Sequence, residues 1–255
     1  MAMTLEKAAL YEKYRLPYAE RAVADLLDYI GAVQVVADIG AGTGQLSRLF
    51  AQRCTRVYAV EPDAAMRQIA STALGEWANL EVRDGCGEQS TLADSSLDLI
   101  VVGNAFHRFK AEACDELRRI LKPSGWVALF THTWTNRVMS DLLIAELASR
   151  TGVASRMNRA WHLTPTRALF GAGHIHTRSY SQSRRRDWNT FFGAARGGLE
   201  APVPGDQDFR PFEELHRELF NAFAVDGALQ IEYDTNVMFG QPLVAAQRPP
   251  APARG

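Results

Sequence analysis

Two acidic residues flank a glycine-rich bend early in the chain. Asp38 follows the apolar run 35–37 and precedes glycines at positions 40, 42 and 44, and Glu61 ends the next apolar run, 56–61. A backbone this bare lets a ligand approach closely, and the helix that follows offers free N–H groups. A carboxylate at Asp38 would repel a pyrophosphate but suit an ammonium or sulfonium. An acid at Glu61 could accept both ribose hydroxyls of a nucleoside. The pair therefore predicts a site for a positively charged nucleoside without phosphate.

The alternative ligand for such a bend is a dinucleotide. Its fingerprint is G-x-G-x-x-G, but here the third glycine comes one residue early and Gln45 holds the place of a glycine. A dinucleotide oxidoreductase or a nucleotide-sugar enzyme is therefore disfavoured. S-adenosylmethionine, a cationic nucleoside, fits the two acids.

The elements that must position these residues alternate between strand and helix. Apolar runs predict strands at 34–39, 56–61, 80–83, 97–102 and 126–130, and helical spacing predicts helices at 44–53, 63–73 and 112–121. Residues 4–30 are predicted as two helices broken at Pro17, with Gly31 capping the second. Beyond residue 135 we expect further helices, two alternating strands at 175–180 and 229–239, and Asp187 at the start of a helix. Ligands of such α/β sheets bind beyond the carboxyl ends of the strands.

Composition excludes several classes of protein. The chain has 255 residues, 47% of them hydrophobic, which is incompatible with a disordered chain, and its net charge of -1 provides no basic field for nucleic acid. No apolar run is long enough for a membrane span, and residues 1–13 lack the apolar core of a signal peptide. Three scattered cysteines form neither a disulfide framework nor a zinc site. We expect a cytoplasmic protein with no metal, membrane or nucleic-acid partner.

Several motifs resemble those of class I S-adenosylmethionine-dependent methyltransferases. The stretch 38–44, DIGAGTG, resembles their glycine-rich motif, 60–63 with Met66 resembles the acidic motif, and 98–100 and 121–125 resemble a D-L-hydrophobic strand start and an L-K-P-x-G turn. The resemblance covers roughly residues 10–135. It implies a Rossmann-like three-layer α/β/α sandwich with a seven-stranded, mostly parallel sheet in the order 3-2-1-4-5-7-6 and helical lid inserts. The region 14–17 and the loop after the fourth strand also resemble the subgroup of trans-aconitate and UbiE-like methyltransferases.

The resemblance implies S-adenosylmethionine as cofactor and assigns its contacts. The backbone at Asn104 would bind the methionine amino group, and the loop 84–88 would wrap the adenine. Cys86 departs from the family, which often has Asp or Ser there to bind the adenine amino group; a thiol is a poor acceptor, so selectivity would rest on backbone around Gly87. The implied cofactor residues are Asp38, Gly40, Ala41, Gly42, Gly44, Glu61, Pro62, Met66, Gly85, Cys86, Gly87, Asn104 and Ala105.

The same resemblance places His107 near the transferred methyl group. Imidazole titrates near neutral pH, so His107 is the candidate general base; alternatively it binds substrate without moving protons, because positioning alone can supply most of the rate. Asp98 is expected to be structural. The predicted substrate-binding residues are Tyr14, Tyr18, His107 and Trp134, with helix packing as the alternative role for the tyrosines.

The sequence gives less evidence about the methyl acceptor. The loop 103–106 lacks the N-P-P-[YF] sequence that grips planar amino groups, and no aromatic-rich basic groove is present, which favours a small-molecule acceptor methylated on O, N or C. Arg178 and the run 184–186 could clamp a carboxylate, but a solvated connector is the favoured interpretation.

The sequence thus predicts a single methyltransferase domain over residues 1–246, as a monomer or homodimer. It comprises an N-terminal helical lid (1–30), a cofactor-binding core (31–135) and a substrate lid with the last strands (136–246), followed by a disordered tail at 247–255. Two alternatives stay open. The protein could bind the cofactor without transferring its methyl group, as a regulator or a pericyclic catalyst, or it could modify a macromolecule.

Overall fold

A seven-stranded sheet organises the structure, a computed structural model that describes residues 3–151, 163–171 and 173–242. The strand order is β3-β2-β1-β4-β5-β7-β6, as predicted. Strands β1 to β5 pair in parallel, and β7 runs antiparallel to both β5 and β6. The strands are β1 Val35–Ile39, β2 Arg56–Val60, β3 Leu80–Arg83, β4 Leu97–Gly103, β5 Leu121–Trp134, β6 Ile175–Arg186 and β7 Leu229–Gly240.

Helices cover both faces of this sheet, as expected of an α/β sandwich. They are α1 Leu5–Tyr14, α2 Glu20–Ile30, α3 Ser47–Ala51, α4 Ala64–Ala73, α5 Ala113–Ile120, α6 Arg137–Arg150, α7 Leu163–Phe170, α8 Trp188–Arg196 and α9 Phe209–Phe223, with one 3₁₀ turn at Phe106–Arg108. One apolar cluster packs β1, β4 and β5 against α2 and α3, and a second packs the opposite face against α5 and α7. The fully buried central strands explain the continuous apolar runs in the sequence.

Most helix ends follow from single residues. Asp63 caps α4 by accepting hydrogen bonds from the backbone N–H groups of Ala65 and Met66, and Asp187 caps α8. Gly31 ends α2 with a φ of 81°, as predicted. Pro17, expected to open α2, instead lies in an extended link, and the helix begins at Glu20. The third helix is shorter than the predicted 44–53, because positive φ angles continue through Gly44.

The register of the parallel strands brings their carboxyl ends to one edge. Asp38 is level with Ala59 of β2 and Val101 of β4. At the opposite edge Asp98 accepts hydrogen bonds from the backbone N–H groups of Gln34 and Val35, at 3.0 and 2.9 Å, and pairs with Lys122. This confirms the structural role predicted for Asp98.

Two strands are longer than predicted, and in both cases long-range pairing is the cause. The stretch 122–125, predicted as a turn, lies inside β5, because Leu121 pairs with Leu97 before the register shifts. The run 184–186, predicted as a connector, is the end of β6, because Arg186 pairs with Leu229 of β7. Within the run, positions 184 and 185 are exposed and Arg186 is buried.

Helix α1 contacts both the region around 196–201 and helix α3 of the cofactor core. Lys7 donates to the carbonyls of Leu199 and Ala201, and Arg196 pairs with Glu6 at 2.6 Å. Towards the cofactor core, Glu12 of α1 pairs with Arg48 of α3. These contacts hold α1 against the loop 199–201, α8 and α3. The predicted tail, 247–255, lies outside the described residues.

Candidate functional site

The carboxyl group of Asp38 lies at the end of β1, buried to 1% exposure. Its Oδ2 accepts a hydrogen bond from the Ser47 hydroxyl at 2.6 Å, whereas Oδ1 is enclosed without a hydrogen-bond partner among the described residues. Burial raises the pKa of Asp38 to about 7, opposed by the Ser47 bond and helped by the charge of Glu61. A buried acceptor without a partner is costly, and a cationic or N–H ligand would satisfy it.

The second acid, Glu61, follows β2 and holds the bend in place. Its Oε2 accepts from the backbone N–H of Gly42 at 2.8 Å, and its Oε1 accepts from that of Asp63 at 2.9 Å. Burial raises the pKa of this carboxyl group, and the two backbone bonds oppose the shift. Each carboxylate oxygen can accept a second bond, so Glu61 can still receive ribose hydroxyls.

The bend between the acids depends on glycine at two positions in particular. Gly40 has a φ of 74° and a Cβ there would come within 2.7 Å of Ala105, while Gly44 has a φ of 84° and its Cβ would meet Leu74 at 2.3 Å. Ala41 and Gly42 complete the turn, and the N–H groups of Gly40 and Ala41 both donate to the carbonyl of Val60. The bend therefore packs directly against β2, the loop after β4 and α4.

The loop after β3 lies beside this bend. Cys86 exchanges backbone hydrogen bonds with Gln89 and is half-buried. A Cβ on Gly87 would lie 2.8 Å from the ring of Phe109, and the same ring approaches Gly40. Phe109 therefore sits between the bend and the loop, a position that the sequence analysis did not identify. Its place in the sequence, as an aromatic residue shortly after the end of β4, was the signal from which it could have been predicted.

The residues Tyr18, Asn104 and His132 form what we call the polar cluster, just beyond the end of β4 and beside the last residues of β5. The Asn104 amide nitrogen donates to the Tyr18 hydroxyl at 3.0 Å, and its oxygen accepts from the His132 backbone N–H at 3.2 Å. The rings of Tyr18 and His132 stack with centroids 4.4 Å apart. Asn104 has a φ of 52°, a left-handed conformation that asparagine tolerates and that often marks a functional site.

Both ionisable rings of the polar cluster are neutral at ordinary pH. Burial raises the pKa of Tyr18, and burial together with the charge of Arg15 lowers the pKa of His132 to about 3. The sequence analysis missed His132, although its position at the carboxyl end of β5 was a usable signal.

The other predicted residues are distributed around this centre. His107 is half-buried in the 3₁₀ turn immediately after Asn104 and Ala105. Tyr14 packs on α8, where a Cβ on Gly193 would come within 2.5 Å of its ring, and Trp134 packs in a separate apolar cluster with Leu16. The structure brings Tyr18 into contact with Asn104 and His132. Tyr14 and Trp134 pack against other elements.

The remaining cofactor positions line the same edge. Pro62 directly follows Glu61, and Met66 on α4 is buried under α1. A Cβ on Gly85 would meet the Ser90 carbonyl at 2.9 Å. Among the residues that the structure describes, no group of three His, Cys, Asp or Glu side chains could hold a metal ion. Within the same residues, no helix has the length and apolar character to cross a membrane.

These residues fit S-adenosylmethionine. The free oxygen of Asp38 suits a cationic group, the spare lone pairs of Glu61 suit ribose hydroxyls, and the bare bend between them admits close approach. Asp38, Glu61 and the backbone of 40–44 would hold the cofactor, with the loop 85–87 at the adenine.

The sequence of this chain is similar to those of known methyltransferases. Residues 37–129 match a family described as a methyltransferase domain. An uncharacterised methyltransferase of Mycobacterium tuberculosis is 33% identical over 143 residues, 56% of this chain and 57% of the relative. One of Geobacillus kaustophilus is 27% identical over 186 residues, 69% of this chain and 85% of the relative. The chain thus spans a little over half the length of the mycobacterial relative that it matches.

Solved structures share the fold at low sequence identity. The YcgJ protein of Bacillus subtilis has a TM-score of 0.57 at 19% identity, covering 89% of this chain and 100% of its own. A candidate type II methyltransferase of Anaeromyxobacter dehalogenans has a TM-score of 0.60 at 18% identity, covering 89% and 98%. These likenesses confirm the Rossmann-like architecture. The domain match over residues 37–129 and the relatives show that this part of the chain is similar to methyltransferases.

Proposed function

We propose that this protein transfers a methyl group from S-adenosylmethionine to a small organic molecule. The observation that carries the proposal is the position of the polar cluster beside Asp38. Both lie at the carboxyl edge of adjacent strands, and Tyr18 is close enough to Asp38 for the carboxylate charge to raise the pKa of its hydroxyl. A second ligand in the polar cluster would thus meet a cofactor bound at the bend.

Methyl transfer requires the protein mainly to position the acceptor against the cofactor. The cofactor, when bound, supplies a methyl group on a sulfonium, which is an excellent leaving group. The link 15–19 carries Tyr18 of the polar cluster, and both Tyr18 and Ala19 are buried. Asn104 and Tyr18 supply neutral hydrogen-bonding groups that can orient an acceptor.

A proton must leave only if the acceptor carries one on the attacking atom. His107 is the proposed base, because it lies in the turn 106–108 that follows Asn104 and imidazole titrates near neutral pH. His132 is a poor base, since burial holds its pKa at about 3, and we assign it to orientation of the acceptor.

A small acceptor is favoured over a macromolecule by the burial of the polar cluster. Tyr18 is 8% exposed, and Asn104 and His132 are half-buried. A small molecule can reach these side chains more readily than a folded macromolecule.

The test is turnover with a panel of small acceptors that carry hydroxyl, amine and activated carbon groups. We expect formation of S-adenosylhomocysteine with at least one of them, and mass spectrometry of the product would identify the methylated atom. Tight binding of S-adenosylmethionine with no turnover on any acceptor would instead favour a regulatory or pericyclic role. Turnover only with tRNA or protein would overturn the small-molecule assignment.

A further inference from the structure

Strand β7 holds the backbone on both sides of Tyr18. The Tyr233 hydroxyl donates to the Pro17 carbonyl at 3.1 Å, and the backbone N–H of Ala19 donates to the Thr235 hydroxyl at 3.1 Å. Tyr233 and Thr235 are two residues apart on one strand, so their side chains lie on the same face of the sheet. The residue between the two fixed backbone groups is the tyrosine of the polar cluster.

The direction of the Thr235 hydroxyl is fixed by β6. This hydroxyl donates to the side-chain oxygen of Gln182 at 2.7 Å. A hydroxyl has one proton and two lone pairs, so with its proton directed at Gln182 the oxygen presents a lone pair to the Ala19 N–H. Ala19 is the N-cap residue of α2. The start of α2 is therefore tied to both strands of the last hairpin.

Both anchoring side chains are buried completely. Tyr233 and Thr235 have 0% exposure, and Ala19 has 8%. A buried polar group that loses its hydrogen-bond partner costs free energy, because water does not replace the partner. If either hydroxyl is removed, the backbone group that it bonds finds a new partner only when the chain around Tyr18 moves.

The ring of His132 lies against both Tyr18 and the anchors. It stacks on Tyr18 with centroids 4.4 Å apart, and it meets the Tyr233 ring edge-on at 5.4 Å. His132 is also the partner of Thr235 in the register of β5 and β7. Burial lowers the pKa of His132 to about 3, and a hydrogen bond to the Pro17 carbonyl opposes that shift. The anchored backbone and the two stacked rings therefore form one packed unit.

We propose that Tyr233 and Thr235 are positioning residues of the methyl acceptor site. By fixing the backbone before and after Tyr18, they set the angle at which its ring stacks on His132. The same anchors set where the Tyr18 hydroxyl meets the Asn104 amide, at 3.0 Å. These two groups are the ones assigned to orient the acceptor, so β7 acts on acceptor placement through Tyr18. This inference rests on the proposed methyltransferase function.

The test removes each hydroxyl while keeping the shape of the side chain. Tyr233→Phe and Thr235→Val are compared with the wild type and with Tyr18→Leu by NMR of the histidine ring C–H groups, and His132→Gln assigns the His132 signals. In both hydroxyl-deleted variants these signals should move towards their positions in Tyr18→Leu, because the ring current of Tyr18 acts on a ring stacked this closely. Thr235→Ser keeps a hydroxyl and should restore the wild-type positions.

Tyr180→Phe is the matched control. Tyr180 lies on β6 opposite Thr235, but its hydroxyl donates to Asp25 of α2, at 3.1 Å. The control loses the same chemical group from the neighbouring strand and should leave the His132 signals in place. His216 of α9 is 2% exposed, and its signals should stay constant in all variants that keep the fold. Unmoved His132 signals in both hydroxyl-deleted variants, or equal movement in Tyr180→Phe, would overturn the proposal.

Hydrogen exchange provides a test on the wild type alone. The Ala19 N–H should exchange slowly, because its bond to Thr235 is buried. Exchange at the rate of an unstructured peptide would overturn the proposal without any variant.

Turnover tests the consequence for the acceptor. With an acceptor that the wild type methylates, kcat/KM should fall by about 10- to 100-fold in Tyr233→Phe and Thr235→Val, and it should be retained in Tyr180→Phe. Unchanged kcat/KM in the first two variants would overturn the role at the acceptor site. Failure of the wild type to bind S-adenosylhomocysteine would instead count against the methyltransferase function itself, which the His132 signals do not test.

Discussion

The hydroxyl of Ser47 donates to one carboxylate oxygen of Asp38 at 2.6 Å, and the other oxygen is buried with no partner among the residues that the structure describes. The carboxyl group is thus fixed in direction by α3 and has one oxygen available for a ligand. Because burial raises the pKa of Asp38 to about 7, its carboxyl group is protonated below that pH when no cation is bound beside it.

Binding of S-adenosylhomocysteine, whose amino group is cationic, should therefore release a proton. A cation beside Asp38 favours the ionised form and lowers its pKa, so affinity should rise with pH by up to about tenfold per unit below pH 7 and level off above it. Calorimetry at pH 6 in two buffers with different ionisation enthalpies measures the protons released. Asp38→Asn should bind more weakly and release none. A wild type without proton release would show that the ligand charge lies elsewhere.

Replacing Glu61 should loosen the bend as well as weaken cofactor binding. Both carboxylate oxygens accept backbone N–H groups, from Gly42 and Asp63, so Glu61→Gln would turn an amide nitrogen towards a donor. We expect a loss of about 1–3 kcal/mol in the free energy of unfolding in urea, together with a higher Kd for S-adenosylhomocysteine. Glu20→Gln, at an exposed position on α2, is the control. Unchanged values for both quantities would remove Glu61 from the site.

His107→Ala should separate turnover from binding. If His107 takes a proton from the acceptor, kcat should fall by about 10²–10⁴, while the Kd for S-adenosylhomocysteine stays within about threefold. His174→Ala, at an exposed position before β6, controls for the loss of an imidazole. Equal kcat at saturating acceptor would exclude His107 from proton transfer.

Two glycines with nearly the same φ allow conformational strain to be separated from steric clash. Gly31 has a φ of 81° and open space where a Cβ would lie, whereas Gly44 has a φ of 84° and a Cβ there would meet Leu74 at 2.3 Å. Gly31→Ala should cost about 1 kcal/mol of unfolding free energy from the backbone alone, and Gly44→Ala should cost more. Leu74→Ala in the Gly44→Ala background should recover part of the difference. Equal costs at the two positions would mean that the bend moves away from Leu74 freely.

The strand order was implied by the family resemblance, whereas the positions of the acids at the bend follow from local sequence signals. Asp38 and Glu61 end apolar runs, and Asp63 precedes a helical pattern as an N-cap should. The length of β6 was missed for a physical reason. Its residues alternate little between apolar and polar, because an edge strand exposes most of its side chains, and only pairing with β7 defines it.

The polar cluster shows the same limit at the site. Tyr18, Asn104 and His132 come from three distant parts of the chain, and no spacing rule connects them. Residues within one motif could be assigned from sequence, whereas residues joined only by tertiary packing could not.

The fastening of α1 has a kinetic consequence. Its contacts with the loop at 199–201, with Arg196 and with Arg48 include ion pairs, and we expect them to break when a ligand enters or leaves. Raised ionic strength weakens the more exposed pair, Glu6 with Arg196, more than the pair of Glu12 with Arg48. The release of S-adenosylhomocysteine should therefore become faster as the salt concentration rises, because the ion pairs that hold α1 become weaker.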